Sequence, residues 1–328
     1  MRYVIEASRG LTCAIAAAIL MCPAASRAQA YPSKPVRYVV PFDAGTSPDV
    51  VGRILAERLT RLWGQQVLVE NRVGAAGVLG SAFVAKSPPD GYTLLQANIA
   101  PNAIAVSLYA KVPYDQLRDF APITRIGMTP NIITVHPSVP LKSIKQFIAY
   151  AKAHPGQLSY SSAIVGTSPQ LSMELLKLQV KFDVVHIPYR IAAQAITDTI
   201  GGQVPVNISN VPATIGPVQA GRLRALAVTS AQRVSMLQDV PTMQEAGVAN
   251  FEVNSWYGVA APAGTPVLLL DKLNADITTM LRMPEIQQRM IELVMPPTPT
   301  TRDEFDQFIR AEIARWAQVI KDAGIPRQ

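Results

Sequence analysis

Two short stretches carry residue types suited to holding an anion. Pro41-Phe42-Asp43-Ala44-Gly45-Thr46-Ser47-Pro48-Asp49 and Ala163-Ile164-Val165-Gly166-Thr167-Ser168-Pro169-Gln170 share the run Gly-Thr-Ser-Pro, and each stands between a strand-like and a helix-like pattern. The first backbone N–H groups of a helix have no intrahelical acceptor and lie at the positive end of its dipole, so both stretches suit a carboxylate or another anion. Pro48 and Pro169 fit a first helical turn, where a missing N–H costs nothing. Taken singly, Ser47 and Ser168 also read as ordinary helix caps. Two matching loops, one in each half of the chain, favour a ligand, because ligands of open α/β sheets sit beyond the carboxyl ends of the strands.

Other chemistry is less well provided for. Gly45-Thr46-Ser47-Pro48-Asp49 departs from the nucleophile elbow, since Asp49 stands where a second glycine belongs. His136 and His154 adjoin Pro137 and Pro155 in turn-like stretches, and His186 lies in a strand-like one; none is placed as a base for Ser47 or Ser168. No enzymatic activity is therefore expected, and an exported serine hydrolase is the weaker alternative. No His-x-x-x-His and no tight carboxylate cluster suggests a metal. Gly74-Ala75-Ala76-Gly77 lacks the spacing of a dinucleotide fingerprint and reads as tight packing at a strand-to-helix turn, so no cofactor is expected. Lys and Arg are scattered without an aromatic-interleaved run, which gives no sign of nucleic acid.

The elements that must position these loops follow from periodicity. VRYVV (36–40) reads as a strand, Val50, Val51, Ile54, Leu55, Leu59 and Leu62 recur at helical spacing, and QVLVE (66–70) is a second strand. A helix over 77–86, the turn Pro88-Pro89-Asp90-Gly91 and a strand over 92–97 continue the rhythm. A second series begins near Asn131: helix 142–153, strand LSYSS, helix 168–179, strand DVVHIPY, helix 192–200, then strands VPVNISN and RALAVTS. After residues 252–266 only helical patterns follow, at 266–282, 284–293 and 302–323. Alternation of this kind predicts parallel-rich sheets flanked by helices. Two α/β lobes are the simplest assembly, with residues 31–130 and 253–328 forming the first and 131–252 the second.

Residues 1–30 read as a cleaved secretory leader: Arg2 and Arg9 precede the apolar run Leu11–Cys22, and Ala28-Gln29-Ala30 matches a signal-peptidase site. The apolar run falls short of the roughly 20 residues that span a bilayer. Cleavage after Ala30 removes both cysteines, Cys13 and Cys22, so the mature chain must draw its stability from a core rather than disulfides. It also removes Arg2, Arg9, Arg27 and Glu6, lowering the formal charge from +7 to +5, a mild excess compatible with an anionic ligand.

The ordered series YPSKPVRYVVPFDAGTSPDVVGRILAERL, VLVENRVGAAGVLGS, AKSPPDGYTLL, SSAIVGTSPQLSMELL, HIPYR and GGQVPVNISNVPA resembles the Bug family of periplasmic receptors, the solute-binding components of tripartite tricarboxylate transporters. The resemblance covers essentially all of residues 31–328. It implies a two-lobed Venus-flytrap of the type II periplasmic binding protein class, a monomer that delivers a small carboxylate to membrane permease subunits. By position it assigns Phe42, Ala44, Gly45, Thr46, Ser47 and Asp49 to a first ligand loop and Ser162, Gly166, Thr167 and Ser168 to a second. Tyr189, Ser209 and Asn210 then complete the pocket wall. A receptor presenting its closed form to a membrane signalling partner is the alternative.

This chain departs from the family pattern at four places. Thr46 follows Gly45 where two glycines are common, and Asp43 stands where a small residue or proline is usual. Arg190-Ile191 replaces a common Lys-Gly, and Ser209 stands where an aspartate is frequent. Loss of an acid at 209 removes a natural partner for an ammonium group, so a dicarboxylate or aromatic carboxylate is expected rather than an amino acid.

Overall fold

The computed structural model describes residues 31–328; residues 1–30, on which the leader expectation falls, and both cysteines lie outside them. Strand β1 (Val36–Val40) is valine-rich and buried except at Arg37, as suits an inner parallel strand. It leads through the first loop into helix α1 (Ser47–Trp63), which buries Val51, Ile54, Leu55 and Leu59 and ends at Gly64 in the left-handed conformation. Strand β2 (Val67–Asn71), helix α2 (Val78–Ala85) and strand β3 (Thr93–Asn98) complete a parallel array in the order β2-β1-β3. A π-turn over Ala100–Ile104 and a short helix α3 (Ala105–Leu108) follow.

The centre of the molecule is antiparallel, which the alternation did not predict. Strand β4 (Phe120–Val135) is 16 residues long and serves both sheets. Its first part, through Pro130, pairs with strand β9 (Asn254–Pro262), which also pairs with β3. Its last part, from Asn131, pairs with strand β7 (Val206–Asn210) on one side and strand β8 (Arg224–Val228) on the other. The second sheet continues from β7 through strand β5 (Ser159–Ser162) to strand β6 (Val185–Pro188), with both of those pairings parallel. Helices α4 (Ile144–Ala153), α5 (Ser168–Val180), α6 (Ala192–Ile200) and α7 (Val211–Gln219) belong to this half.

Three helices close the chain: α8 (Val267–Leu281), α9 (Pro284–Glu292) and α10 (Arg302–Asp322). A capping box of Thr301 and Glu304 starts α10. Buried Glu312 on α10 accepts from the indole N–H of Trp256 on β9 (3.1 Å) and of Trp316 (3.0 Å), fixing the helix against the strand that returns from the second sheet. One apolar cluster runs through both halves, joining Val39 and Leu95 to Ile133, Phe147, Tyr160, Leu171 and Trp316. A second cluster sits under α1 and α8. Among the described residues no helix is long and apolar enough to cross a membrane.

Candidate functional site

The two Gly-Thr-Ser-Pro loops have the same construction. Each follows the carboxyl end of a parallel strand, β1 or β5, and opens a helix, α1 or α5. Gly45 and Gly166 take the left-handed conformation, with φ of +80° and +87°. The hydroxyls of Thr46 and Thr167 donate to carbonyls three residues back, Asp43 (2.6 Å) and Ile164 (2.9 Å). Four residues after each glycine a side chain returns to accept its N–H: Asp49 Oδ2 for Gly45 (2.9 Å) and Gln170 Oε1 for Gly166 (3.3 Å). Thr46 and Thr167 hold the cap positions without side-chain capping bonds, so Ser47 and Ser168 are the first helical residues rather than caps.

The first loop is the more rigidly held. Asp49 is 2% exposed, and besides Gly45 it accepts Arg53 Nε (2.9 Å) and Asn71 Nδ2 (2.8 Å). Asn71 Nδ2 also donates to the Phe42 carbonyl (2.9 Å), and Gln96 Nε2 donates to the Pro48 carbonyl (2.7 Å). Burial alone would raise the Asp49 pKa, but hydrogen bonds from Arg53, Gly45 and Asn71, with the Arg53 charge, hold it below the usual carboxylate range. Both Asp49 oxygens are thus occupied within the protein, and the residue shapes the loop. Asp43 and Ala44 are exposed beside it, and Thr46 and Ser47 are half-buried.

The second loop rests on the junction between the sheets. Ser168 Oγ donates to Asn131 Oδ1 (3.3 Å) and makes a short hydrogen bond with Ser255 Oγ. Asn210 Nδ2 reaches both Asn131 Oδ1 (2.7 Å) and Ser255 Oγ (2.8 Å), while Asn131 Nδ2 donates to Ser172 Oγ (2.8 Å). Asn131 lies where β4 enters the second sheet, and Ser255 where β9 rejoins the first. One buried network therefore ties helix α5 and Asn210 to both crossing strands. Ser209 is 6% exposed and its hydroxyl faces Thr214 Oγ1 at 3.5 Å.

At the carboxyl end of β5, Ser162 is 1% exposed, and its carbonyl accepts Tyr189 N–H (3.0 Å). Its hydroxyl donates to the Ala163 carbonyl (3.0 Å) and lies 2.8 Å from His186 Nε2. Tyr189 is half-buried, its hydroxyl donating to Asp198 Oδ2 (2.8 Å). Arg190 beside it is exposed and makes no salt bridge among the described residues.

Both loops abut the segment 101–108 that follows β3. A Cβ placed on Gly77 would stand 3.0 Å from Pro101 and 3.4 Å from the Phe42 ring, and one on Gly166 would stand 2.5 Å from Leu108. Gly77 thus stands between Pro101 and the Phe42 ring, and Gly166 packs on Leu108 of the same segment. A cavity of about 650 Å³ at the opposite end of β1 is a weaker candidate, because its Lys34 and Arg37 are already paired with Asp90 and Glu70.

Residues 51–325 match the model of the tripartite tricarboxylate transporter family receptor. The chain belongs to that family. It is 37% identical over 298 residues to protein BugT of Bordetella pertussis, covering 90% of this chain and 91% of that one. Among solved structures it is similar to Rpa4515 of R. palustris with adipate, at 35% identity and a TM-score of 0.84, covering 90% of this chain and 99% of the other. It is also similar to MatC of Rhodopseudomonas palustris with bound malate, at 29% identity and a TM-score of 0.79, covering 88% and 100%. The family consists of periplasmic solute-binding receptors, and the α/β architecture of two sheets with flanking helices is theirs.

Sequence reasoning missed Asn71, Gln170, Asn131, Ser255 and His186. The spacing from Gly45 to Asp49, repeated from Gly166 to Gln170, was a usable signal for Gln170. The other four act through contacts between distant segments.

Proposed function

We propose that the chain captures a small organic acid without a free amine, a dicarboxylate or aromatic carboxylate, between its two Gly-Thr-Ser-Pro loops and presents it to the permease subunits of a tripartite tricarboxylate transporter. The matched construction of the loops, each at the carboxyl end of a strand and the start of a helix, carries this reading. The ligand docks on one loop. Residues 131–252 then rotate as a lobe against residues 31–130 and 253–328, about the crossings of β4 and β9, and the second helix start completes the cage. Each helix terminus contributes roughly 0.3–1 kcal/mol toward an anion, up to about 2 when partly buried, whereas micromolar affinity needs about 8. Loop N–H groups not engaged within the protein, the Ser47 hydroxyl, bridging water and apolar contact supply the remainder. The amine-free preference rests on Ser209, which offers a near-buried hydroxyl where an acid would hold an ammonium. Export to the periplasm by the leader at residues 1–30 belongs to the same reading.

A thermal-shift screen of carboxylic acids tests it. An acid at a hundredfold excess over its Kd stabilises the fold by about 2.7 kcal/mol, equivalent to a Tm rise of roughly 5–10 °C at about 2–4 °C per kcal/mol. Replacing Thr167 with Trp is expected to abolish that shift without lowering the ligand-free Tm by more than about 3 °C. Calorimetry in which aspartate or glutamate outcompeted every amine-free acid would refute the specificity; turnover of an ester that disappeared with Ser47 or Ser168 would restore the hydrolase reading.

A further inference from the structure

His186 is half-buried and opens the HIPYR run, but has so far been given no role of its own. It stands opposite Tyr160 in the β5–β6 register, so its side chain shares a sheet face with those of Tyr160 and Ser162. The imidazole stacks on the Tyr160 ring, with centroids 4.8 Å apart and planes 23° from parallel, and extends Nε2 diagonally to Ser162 Oγ. Ser162 has one hydroxyl hydrogen and two polar neighbours, the Ala163 carbonyl, which can only accept, at 3.0 Å and His186 Nε2 at 2.8 Å. Both contacts are hydrogen bonds only if Nε2 carries a proton and donates to Ser162 Oγ while the hydroxyl donates to Ala163. The order of donation is then His186 to Ser162 to the first carbonyl of the second loop.

We propose that His186, as the neutral Nε2–H tautomer, is a positioning residue for the ligand site: through Ser162 it fixes where the second loop leaves β5 and where Tyr189 stands against it. The inference rests on the second loop being a ligand loop. Two bonds join the strand ends, the Tyr189 N–H to the Ser162 carbonyl and the His186 donation to the Ser162 hydroxyl. The backbone bond alone sets the spacing of the strands; the side-chain bond also sets the Ser162 rotamer and with it the Ala163 carbonyl. An apolar residue at 186 leaves a 1%-exposed hydroxyl short of a donor at the root of the loop.

The groups around His186 are Tyr160 on β5 and Glu174 and Lys177 on α5. Glu174 accepts the Tyr160 hydroxyl (2.9 Å) and pairs with Lys177 (3.1 Å), which also approaches Asp183 (3.7 Å). Burial pushes the His186 pKa down to about 4; Glu174 raises it and Lys177 lowers it. The ring thus stays neutral at neutral pH, as the tautomer requires.

Two measurements on the full mature chain test the inference, with the best acid from the screen as probe. In ¹⁵N spectra of the imidazole at pH 6.5, the Nε2–H tautomer is expected, with a titration midpoint near 4; a signal from the Nδ1–H tautomer would overturn the assignment. By calorimetry, His186→Leu is expected to weaken binding about five- to tenfold, the worth of one hydrogen bond. His186→Gln, which keeps a donor, should stay within about twofold, and Ser162→Ala combined with His186→Leu should lose no more than either alone. Wild-type affinity in folded His186→Leu, or equal loss in His186→Gln, refutes the role. If no acid binds the wild-type protein, or if Thr167→Trp is silent, the loop reading fails instead; binding that Thr167→Trp destroys and His186→Leu leaves untouched isolates the failure to His186.

Discussion

Asp49 offers a sharp separation between shaping a binding loop and touching its ligand. Replacing it with Ala withdraws the acceptor from Gly45 N–H, Arg53 Nε and Asn71 Nδ2 at once. Arg53 is about half exposed, so water and salt weaken that ion pair. Asn71 retains the Phe42 carbonyl, and Gly45 N–H, in an exposed loop, can turn to water. With charge-assisted hydrogen bonds at about 1.5–3 kcal/mol each before such compensation, the net loss is roughly 2–4 kcal/mol. At about 2 °C per kcal/mol for a chain of this size, Asp49→Ala lowers the ligand-free Tm by roughly 4–8 °C. Asp49→Asn keeps the shape and an acceptor and loses about half as much. The folded carboxyl titrates below its unfolded value of about 4, so its stabilisation is fully present above about pH 4 and disappears as pH falls through the folded pKa. The Tm gap between wild type and Asp49→Asn should therefore close in strongly acid buffer. Differential scanning calorimetry without ligand decides the matter: an unchanged ligand-free Tm in Asp49→Ala, with affinity lost, would mean that Asp49 acts on the ligand and that the hydrogen bonds around it are energetically idle.

The two loop glycines should respond differently to alanine. At Gly45 the added methyl meets open space, so Gly45→Ala costs only the left-handed backbone, about 1 kcal/mol, whereas at Gly166 it meets Leu108 at 2.5 Å. Gly166→Ala should weaken ligand binding at least tenfold more than Gly45→Ala, with partial recovery in combination with Leu108→Ala; equal effects by calorimetry would mean that packing on Leu108 does not position the second loop. Ser255→Ala leaves Asn210 and Ser168 their bonds to Asn131. It is expected to cost only about 1 kcal/mol of stability while shifting the balance of open and closed lobes, read as a change in radius of gyration by solution scattering with and without ligand. No change in that balance would confine the network to holding the fold.

Local chemistry was enough to find the loops and most of the elements. Gly45, Thr46, Ser47 and Pro48 act within four residues of one another, as do their counterparts at 166–169, so the sequence itself dictates a left-handed glycine, a returning hydroxyl and a helix start. The first part of β4 was not legible, because Pro122 and Pro130 argue against an inner strand. The pairing with β9 accommodates the first proline with a register shift beside it, and the second stands at the passage into the next sheet. Helix α7 was hidden by Gly216 and Pro217, breakers by local propensity in its interior.

The loops and their helix starts were thus determined by the sequence, and what supports them was decided by tertiary structure. Ser162 meets His186 across 24 residues, Asn131 meets Asn210 across 79, and Ser168 meets Ser255 across 87. Nothing in the neighbourhood of a serine or asparagine specifies such a partner. The strand order and the register of β4, β5, β6 and β9 do, because a shift of one residue would turn each side chain to the opposite face of the sheet.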